Sequence, residues 1–545
     1  MVYFKIESAF FDFFLAKCLF KNYSIVVCFL SDIMNTTNTT VTKEPEFSKF
    51  RRIFFPIHSY ELKKALPMGM IFFFILFNYT CLRNIKDSLI VTNTGAEALA
   101  YLKLFCVTPS AIIFMLLYAK ASNVLSNENL FYATLSPFII FFGLFAFVIY
   151  PNREWFHPTV ETITALQAQF PSLHWPLALL GVWSYALFYV LAELWGSALL
   201  SLSFWQFANQ ITRVSEAKRM YAFFGLMAQF SLLFAGAFGE YFSNVKGRIP
   251  EGVDPWQVSL NWLMGIVVVF GVSAMLVYRW IYKNVLTDKR FYDKPELPGV
   301  KKGKKKAGLM QSLKTIFTSP YLGLIAMLVI CYGISVNLIE GLWKSQLKLQ
   351  YHDENDYNTF MSNFTIWTGI ASIVMLIIGG NILRVCRWVV AAMATPLVFV
   401  IGGFSFFTFV VFRQELAGFL MNLGTNPVAV AVALGAIIVV ASKSTKYALF
   451  DLTKEMAYIP LDEEMKVKGK AVVDVVGGRL GKSGGAFIQV VLFSAVSSII
   501  GTKATYDQIV PYLFGIFIII CTLWIFSVKS LGKRVEAANK AANEE

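Results

Sequence analysis

The scarcest residues in this chain narrow its function most. Charged residues make up 15 % of its 545 positions, and histidine occurs only four times. His58, His157, His174 and His352 stand far apart, with no two at helical spacing. The seven cysteines, Cys18, Cys28, Cys81, Cys106, Cys331, Cys386 and Cys521, lie in or beside apolar runs without a CxxC pair. Zinc, haem and Cys/His catalysis all need clustered ligands. No metal and no cofactor is therefore expected, and the cysteines read as reduced packing residues. A complete phosphate-binding loop is also missing. The stretch "GGRLGKSGG" (477–485) ends as such a loop does, in Gly481-Lys482-Ser483. The glycine required five residues before Gly481 is replaced by Val476. No soluble domain is left to carry a nucleotide hydrolase.

What is abundant is apolar surface: 57 % hydrophobic residues and 52 phenylalanines. A helix that crosses a bilayer needs about 20 apolar residues. Such runs fall near 66–82, 100–122, 129–150, 175–207, 220–242 and 257–282, then near 321–343, 359–382, 388–412, 427–450, 484–502 and 507–528. The expected fold is an all-α membrane protein of twelve transmembrane helices. The net charge of +14 is not a nucleic-acid signature, because Lys and Arg alternate by loop. They cluster before the first run (Lys49, Arg51, Arg52, Lys63, Lys64), in loops holding Arg213, Lys218 and Arg219, in 283–314, at Arg384 and Arg387, and in 466–482. By the positive-inside rule these loops and both termini are cytoplasmic, which requires an even number of spans.

Residues 284–316 form the one long basic stretch between apolar runs. The expected organisation is an N-terminal cytoplasmic segment (1–60), a six-helix half (61–283), a basic cytoplasmic linker (284–316), a second six-helix half (317–530) and a cytoplasmic tail (531–545). Residues 1–33 precede Met34 and lack the marks of a signal or transit peptide. They read as an upstream-start extension, or as a thirteenth span that would move the N-terminus outside. The Asn-Thr-Thr triplets at Asn35 and Asn38 match glycosylation acceptors, a short pattern common by chance. A relation between the halves shows in "LFYVLAELWGS" (187–197) and "TKYALFDLTKE" (445–455), which align Tyr189 with Tyr447 and Glu193 with Asp451. Paired six-helix halves match the layout of facilitator-type secondary transporters, whose substrates bind between halves.

Charges inside spans cost roughly 2.5–3.5 kcal/mol each on insertion scales and persist where they line a cavity or find partners. Glu193 lies in the middle of the fourth run with no sequence neighbour to neutralise it. Glu340 has Lys344 four residues on, so it is either a cavity residue or half of a helical ion pair. Lys86, beside Arg83 and Asp87, follows the first run and could equally be an interfacial lysine snorkelling to headgroups. Lys443, Lys446, Asp451 and Lys454 make the tenth run too charged for lipid contact. Lys443, Lys446 and Lys454 fall on about one face of a helix toward a polar cavity, or the charges are solvated beyond a helix that ends near Ser442. Lys482 precedes the eleventh run. A helix beginning at Ser483 would add free backbone N–H groups to its charge, an anion site without a hydrolytic loop.

These same segments carry a resemblance. "PIHSYELKKALPM", "FNYTCLRNIKDSLIVT", "FYVLAELWGS", "FWQFANQITRVSEAKRMYAFFG", "GVDPWQVSL", "YGISVNLIEGLWKSQLK", "SKSTKYALFDLTKEMAYIPLDEEMKVKGKAVVDVV" and "LGKSGGAFIQ" resemble, in this order, the nucleotide transport proteins. These are the ATP/ADP translocases of plastids and obligate intracellular bacteria, and the likeness is closest to the chlamydial type, over about 45–530. The resemblance implies a major-facilitator-like fold in a bacterial inner membrane. It also implies exchange of ATP for ADP and phosphate or, in some members, proton-driven import of other nucleotides. The family's functional lysines and glutamates fall on Lys86, Glu193, Glu340 and Lys482. The chain departs from the family pattern at Asn84, Ile85, Gly341, Leu342 and the apolar run before Ser442.

The expected protein is a secondary transporter, not an enzyme, importing ATP against ADP by alternating access. Proton-coupled import of GTP, UTP or CTP is the alternative, and an organic-phosphate carrier the weaker one. Lys86, Lys446 and Lys482 would hold phosphates, while Glu193, Glu340 and Asp451 would serve gating or coupling. Tyr447, with Tyr79 and Trp195, would stack on the base. An enzyme acting on nucleotide or lipid phosphates would instead need a metal held by Asp462, Glu463 and Glu464.

Overall fold

In the computed structural model, residues 57–58, 61–288, 291, 319–461, 473 and 477–544 are described. Residues 1–33, Asn35, Asn38, most of the 284–316 linker and the Asp462–Glu464 acidic run lie outside them. Among the described residues there is no strand, and twelve helices are long and apolar enough to cross a membrane. We number these α1 (Leu62–Asn93), α2 (Ala98–Ser122), α3 (Asn127–Ile149), α4 (Trp183–Ile211), α5 (Val214–Ser243) and α6 (Pro255–Asn284). The second half holds α7 (Pro320–Gln350), α8 (Glu354–Val385), α9 (Trp388–Val411), α10 (Pro427–Ala457), α11 (Gly478–Ile500) and α12 (Tyr506–Glu544). Each of the twelve apolar runs overlaps one of these helices. Starts are set by capping chemistry: Asp254, Ser319 and Asn426 each accept a backbone N–H from the first turn, with proline at the next position, where a missing N–H costs nothing.

Three boundaries differ from the sequence expectation, and each moves charge into a helix. First, α1 continues past residue 82 to Asn93, so Lys86 lies within the helix, where its 2 % exposed side chain is held by other helices and does not snorkel outward. Second, α10 does not stop at Ser442 but runs through a π-helical stretch, Lys446–Phe450, to Ala457. Third, α11 begins at Gly478 and not at Ser483, which places Lys482 within the helix. Apolar windows end where charges begin, but a charge paired across helices need not end one. The fourth run also divides, into a short helix His174–Gly181 followed by α4.

The halves echo one another in their irregularities. In α3 and α9, and again in α4 and α10, the helix passes through π turns (Phe145–Ile149, Phe399–Gly403, Gly196–Phe204 and Lys446–Phe450). Such insertions free a carbonyl and re-aim side chains, often at functional sites. The halves meet through α5 with α8 and through α2 with α11. Gly236 and Gly239 in α5 are packed so closely on Ser362 of α8 that an added Cβ would lie 2.8 Å or less from it.

Short connections make successive spans antiparallel, so the α1–α2, α5–α6, α7–α8 and α11–α12 turns share one side. That side is closed by ties between halves: Asn93 to Glu354 (2.8 Å), Lys246 to Asp353 and Asp356 (2.8 Å each), and the Trp175 indole to the Ala504 carbonyl (3.1 Å). On the opposite side, Lys64 is tied to Glu216 of α5 at 2.8 Å and to the carbonyl of Phe291, beyond the end of α6, at 3.0 Å.

Candidate functional site

Charges scattered in sequence converge between the halves. Lys86 of α1 is 2 % exposed and bridges Asp87 (2.8 Å) and Glu193 of α4 (3.0 Å), with its ammonium 3.9 Å from the centre of the Tyr189 ring. Asp87 also receives Lys344 of α7 at 2.7 Å, an ion pair across the two halves. Glu340 does not pair with Lys344, as the four-residue spacing had allowed. Its partner is Lys443 of α10 at 2.8 Å. Lys446 pairs with Asp451 at 2.7 Å and lies 4.8 Å from the centre of the Tyr447 ring, whereas Lys454 lies 3.5 Å from Glu455. Each half thus joins its first and fourth spans by an ion pair, with opposite polarity: lysine on α1 with glutamate on α4, glutamate on α7 with lysine on α10.

Counted at 1.5 Å per residue along its own helix, Lys86 lies about 10 Å from the closed-side end of α1, Arg83, Glu193 and Glu340 about 15 Å from the ends of α1, α4 and α7, and Lys443 and Lys482 about 24–27 Å from the ends of α10 and α11. The charges therefore form a ladder from the closed face toward the opposite one. Lys482 is exposed, yet Tyr79 of α1, Glu193 of α4, Glu340 of α7 and Tyr447 of α10 are all within electrostatic reach of it. A side chain open to solvent but ringed by four spans from both halves lines a cavity and not the lipid face.

The ladder is unbalanced. Arg83, Lys86, Lys103, Lys344, Lys443, Lys446 and Lys482 face Asp87, Glu193, Glu340 and Asp451, a surplus of three positive charges. Among the described residues, no carboxylate lies within ion-pair distance of Arg83, Lys103 or Lys482. Arg83 shares Tyr79, Tyr447 and Glu340 with Lys482 as electrostatic neighbours. Unpaired cations in a low-dielectric setting are strong sites for a polyanion.

The glycines of the 477–485 stretch that face α7 serve helix packing. Gly477, Gly481 and Gly485 repeat every four residues along α11 and let α7 approach its backbone. A Cβ on Gly333 would lie 2.8 Å from the Gly481 Cα, and one on Gly485 would lie 2.7 Å from the Asn337 Cβ. This is the small-residue packing of membrane helices. Because α11 already starts at Gly478, the N–H groups near Lys482 lie beyond its first turn, and the expected helix-terminus anion site does not form.

Of the charges the sequence reading singled out, the structure pairs Lys86 with Glu193, Glu340 with Lys443 and Lys446 with Asp451, leaves Lys482 without a carboxylate in ion-pair distance among the described residues, and sets Lys454 apart beside Glu455. Tyr447 is 41 % exposed and available for stacking. Trp195 is not: it is fully buried, and its indole donates to the Ile75 carbonyl at 3.0 Å. Lys103 and the interhalf role of Lys344 were missed, because a lone lysine in "YLKLFCV" carries no sign of its partners. The departures from the family pattern sit in packing. Asn84 donates to Thr365 at 3.1 Å, Ile85 and Leu342 are core residues, and a Cβ on Gly341 would meet the Tyr506 hydroxyl. At the closed side, Gly95 takes a φ of 112°, which glycine tolerates best, in the turn just before Glu97. Burial pushes the Glu97 carboxyl above the usual carboxylate range, and it accepts the Tyr506 N–H at 3.4 Å.

Comparison with known proteins gives this geometry a context. The sequence profile described as TLC ATP/ADP transporter matches residues 40–535. The chain is 50 % identical over 511 residues to ADP,ATP carrier protein 1 of Chlamydia pneumoniae, covering 93 % of this chain and 98 % of that one. It is 46 % identical to ADP,ATP carrier protein 1 of Rickettsia bellii (91 % and 98 % covered) and 46 % identical to the chloroplastic ADP,ATP carrier protein 1 of Arabidopsis thaliana (86 % and 73 % covered). A bacterial homologue of the iron transporter ferroportin superposes with a TM-score of 0.53 at 11 % identity, over 87 % of this chain and all of that one. At that identity the likeness speaks for the fold, which is major-facilitator-like.

Proposed function

This chain belongs to the TLC ATP/ADP transporter family and is a multi-pass membrane transporter, not an enzyme; from that premise we propose that it imports ATP in exchange for ADP by alternating access around the charged cavity. One observation carries the reading to this cavity: Lys482, unpaired and solvent-open, ringed by spans of both halves. Lys86, Lys446 and Lys482 hold the phosphates, and Tyr447 stacks on the base. Glu193, Glu340 and Asp451 each hold a lysine that substrate competes for, which makes them gating residues. The membrane is the bacterial inner membrane with both termini cytoplasmic, so the closed side is external and the cavity faces the cytoplasm.

The unbalanced ladder supports exchange over one-way transport. To return empty, the protein would have to occlude three surplus positive charges away from water, and burying an uncompensated charge costs several kcal/mol. A bound polyanion removes that penalty, so reorientation proceeds loaded in both directions, and phosphate can accompany ADP as part of the returning charge.

Uptake of labelled ATP, ADP, GTP, UTP and CTP into cells expressing the protein tests this, with and without preloaded ADP and a protonophore. ATP uptake that requires internal ADP and ignores the protonophore is expected. Uptake of another nucleotide that collapses with the protonophore would replace exchange by proton coupling in the same cavity.

A further inference from the structure

Lys103 occupies an unusual position. It lies in the π-helical stretch Leu102–Val107 of α2, level with Asn337 of α7, one turn farther from the closed side than Glu340. Its ammonium donates to a neutral group, the Asn337 side-chain oxygen of α7, at 3.0 Å. Its electrostatic neighbours are Lys344, Glu340, Lys86 and Glu193, and both glutamates are already held by other lysines.

Asn337 is itself fixed from two sides. Its amide donates to the Gly333 carbonyl at 2.8 Å, and its own carbonyl receives Gln489 of α11 at 3.1 Å. Gln489 in turn accepts the Tyr506 hydroxyl at 2.7 Å, and the Tyr506 backbone reaches Glu97 at the start of α2. The circuit Lys103–Asn337–Gln489–Tyr506–Glu97 therefore leaves α2, crosses three helices of the other half and returns to α2. The π turn adds another tie beside Lys482: the Lys103 carbonyl accepts the Thr108 hydroxyl (2.8 Å), which meets Ser483 at 3.0 Å.

We propose that Lys103 is a substrate-binding residue that exchanges partners during transport: it holds α2 to α7 through Asn337 when the cavity is empty, and transfers to the terminal phosphate of a bound nucleotide. This rests on the cavity being the nucleotide site. An ammonium bonded to one neutral amide oxygen gains from a phosphate partner, because the phosphate adds the Coulomb attraction of a full negative charge that the amide lacks. The transfer breaks the circuit at one link, so loading loosens a contact between the halves on the closed side.

The test is nucleotide affinity and exchange kinetics of the purified full-length protein in liposomes, for wild type, Lys103→Gln, Lys103→Arg and Asn337→Ala. Glutamine can keep a hydrogen bond to Asn337 but has no charge. Lys103→Gln should weaken ATP binding roughly 10- to 100-fold, the range for a lost charged hydrogen bond, with thermal stability retained, and Lys103→Arg should restore most of it. Asn337→Ala should bind ATP more tightly than wild type, since the competing tie is gone, while turning over more slowly. Unchanged ATP affinity in Lys103→Gln, or equal loss of affinity in Lys103→Gln and Asn337→Ala, would overturn the proposal while leaving the function intact. Failure of the wild type to bind any nucleotide would instead remove the functional reading on which it stands.

Discussion

Two lysines read as equivalent in the sequence are held in opposite ways. Lys86 is enclosed and neutralised by Asp87 and Glu193, whereas Lys482 stands in solvent with no carboxylate in ion-pair distance among the described residues. Lys482→Ala should therefore lower ATP uptake at least about tenfold and leave the melting temperature of the purified protein nearly unchanged. Lys86→Ala should lower both, because stranding buried carboxylates costs roughly 3–5 kcal/mol. Equal melting temperatures for the two variants would refute the distinction. Glu97 gives a proton-dependent counterpart. Its carboxyl is raised by burial in the closed arrangement, against Tyr506, with Lys348 and Asp507 as charged neighbours. Its contribution to closure is thus complete below the ordinary carboxylate pKa and fades as pH rises through the raised value. Glu97→Gln should flatten the pH dependence of exchange above the ordinary carboxylate pKa. At this scale the sequence exposed the costly charges, since each is an anomaly in an apolar run. It could not expose their partners, which lie on helices hundreds of residues away, as Asp87 and Lys344 do.

Among the elements, α7 and α11 depend on contact between backbones. Gly333 faces Gly481 with no room for a side chain, so Gly481→Leu should force the helices apart and sharply reduce the monodisperse protein recovered in detergent. Gly478→Ala is the matched control: nothing lies within 4 Å of a Cβ there, and it should be tolerated. The number and order of the helices were legible because 20-residue apolar runs are hard to mistake. Their ends were not. Lys86, Lys446 and Lys482 each looked like a stop, and each sits inside a helix because its surroundings are other helices and cavity water. The π turn at Lys446–Phe450 was equally hidden, since nothing in "KYALF" distinguishes one wide turn from regular helix.

Taken as a whole, the molecule is two related halves latched on one side. Lys246 bridges Asp353 and Asp356 but is itself 44 % exposed, and exposed pairs contribute about 0.2–1 kcal/mol. Lys246→Ala should therefore raise the labelling rate of a cysteine placed below the latch no more than a few-fold. Much larger opening would mean that this pair dominates closure over the buried Lys344–Asp87 pair. The twelve spans were legible from the apolar runs, but which side is shut was not, because that depends on contacts between residues such as Asn93 and Glu354.

The surplus of three positive charges in the cavity has an electrical consequence. A nucleoside triphosphate brings about four negative charges and a diphosphate about three. The cavity loaded with the diphosphate is then nearly neutral, and loaded with the triphosphate it carries about one net negative charge. When the diphosphate returns without phosphate, only the triphosphate step would move charge through the transmembrane field, at about 2.3 kcal/mol per charge per 100 mV. The two directions of one exchange cycle would differ in their voltage dependence, and a sudden rise in external ATP would register as a transient current before any nucleotide accumulates.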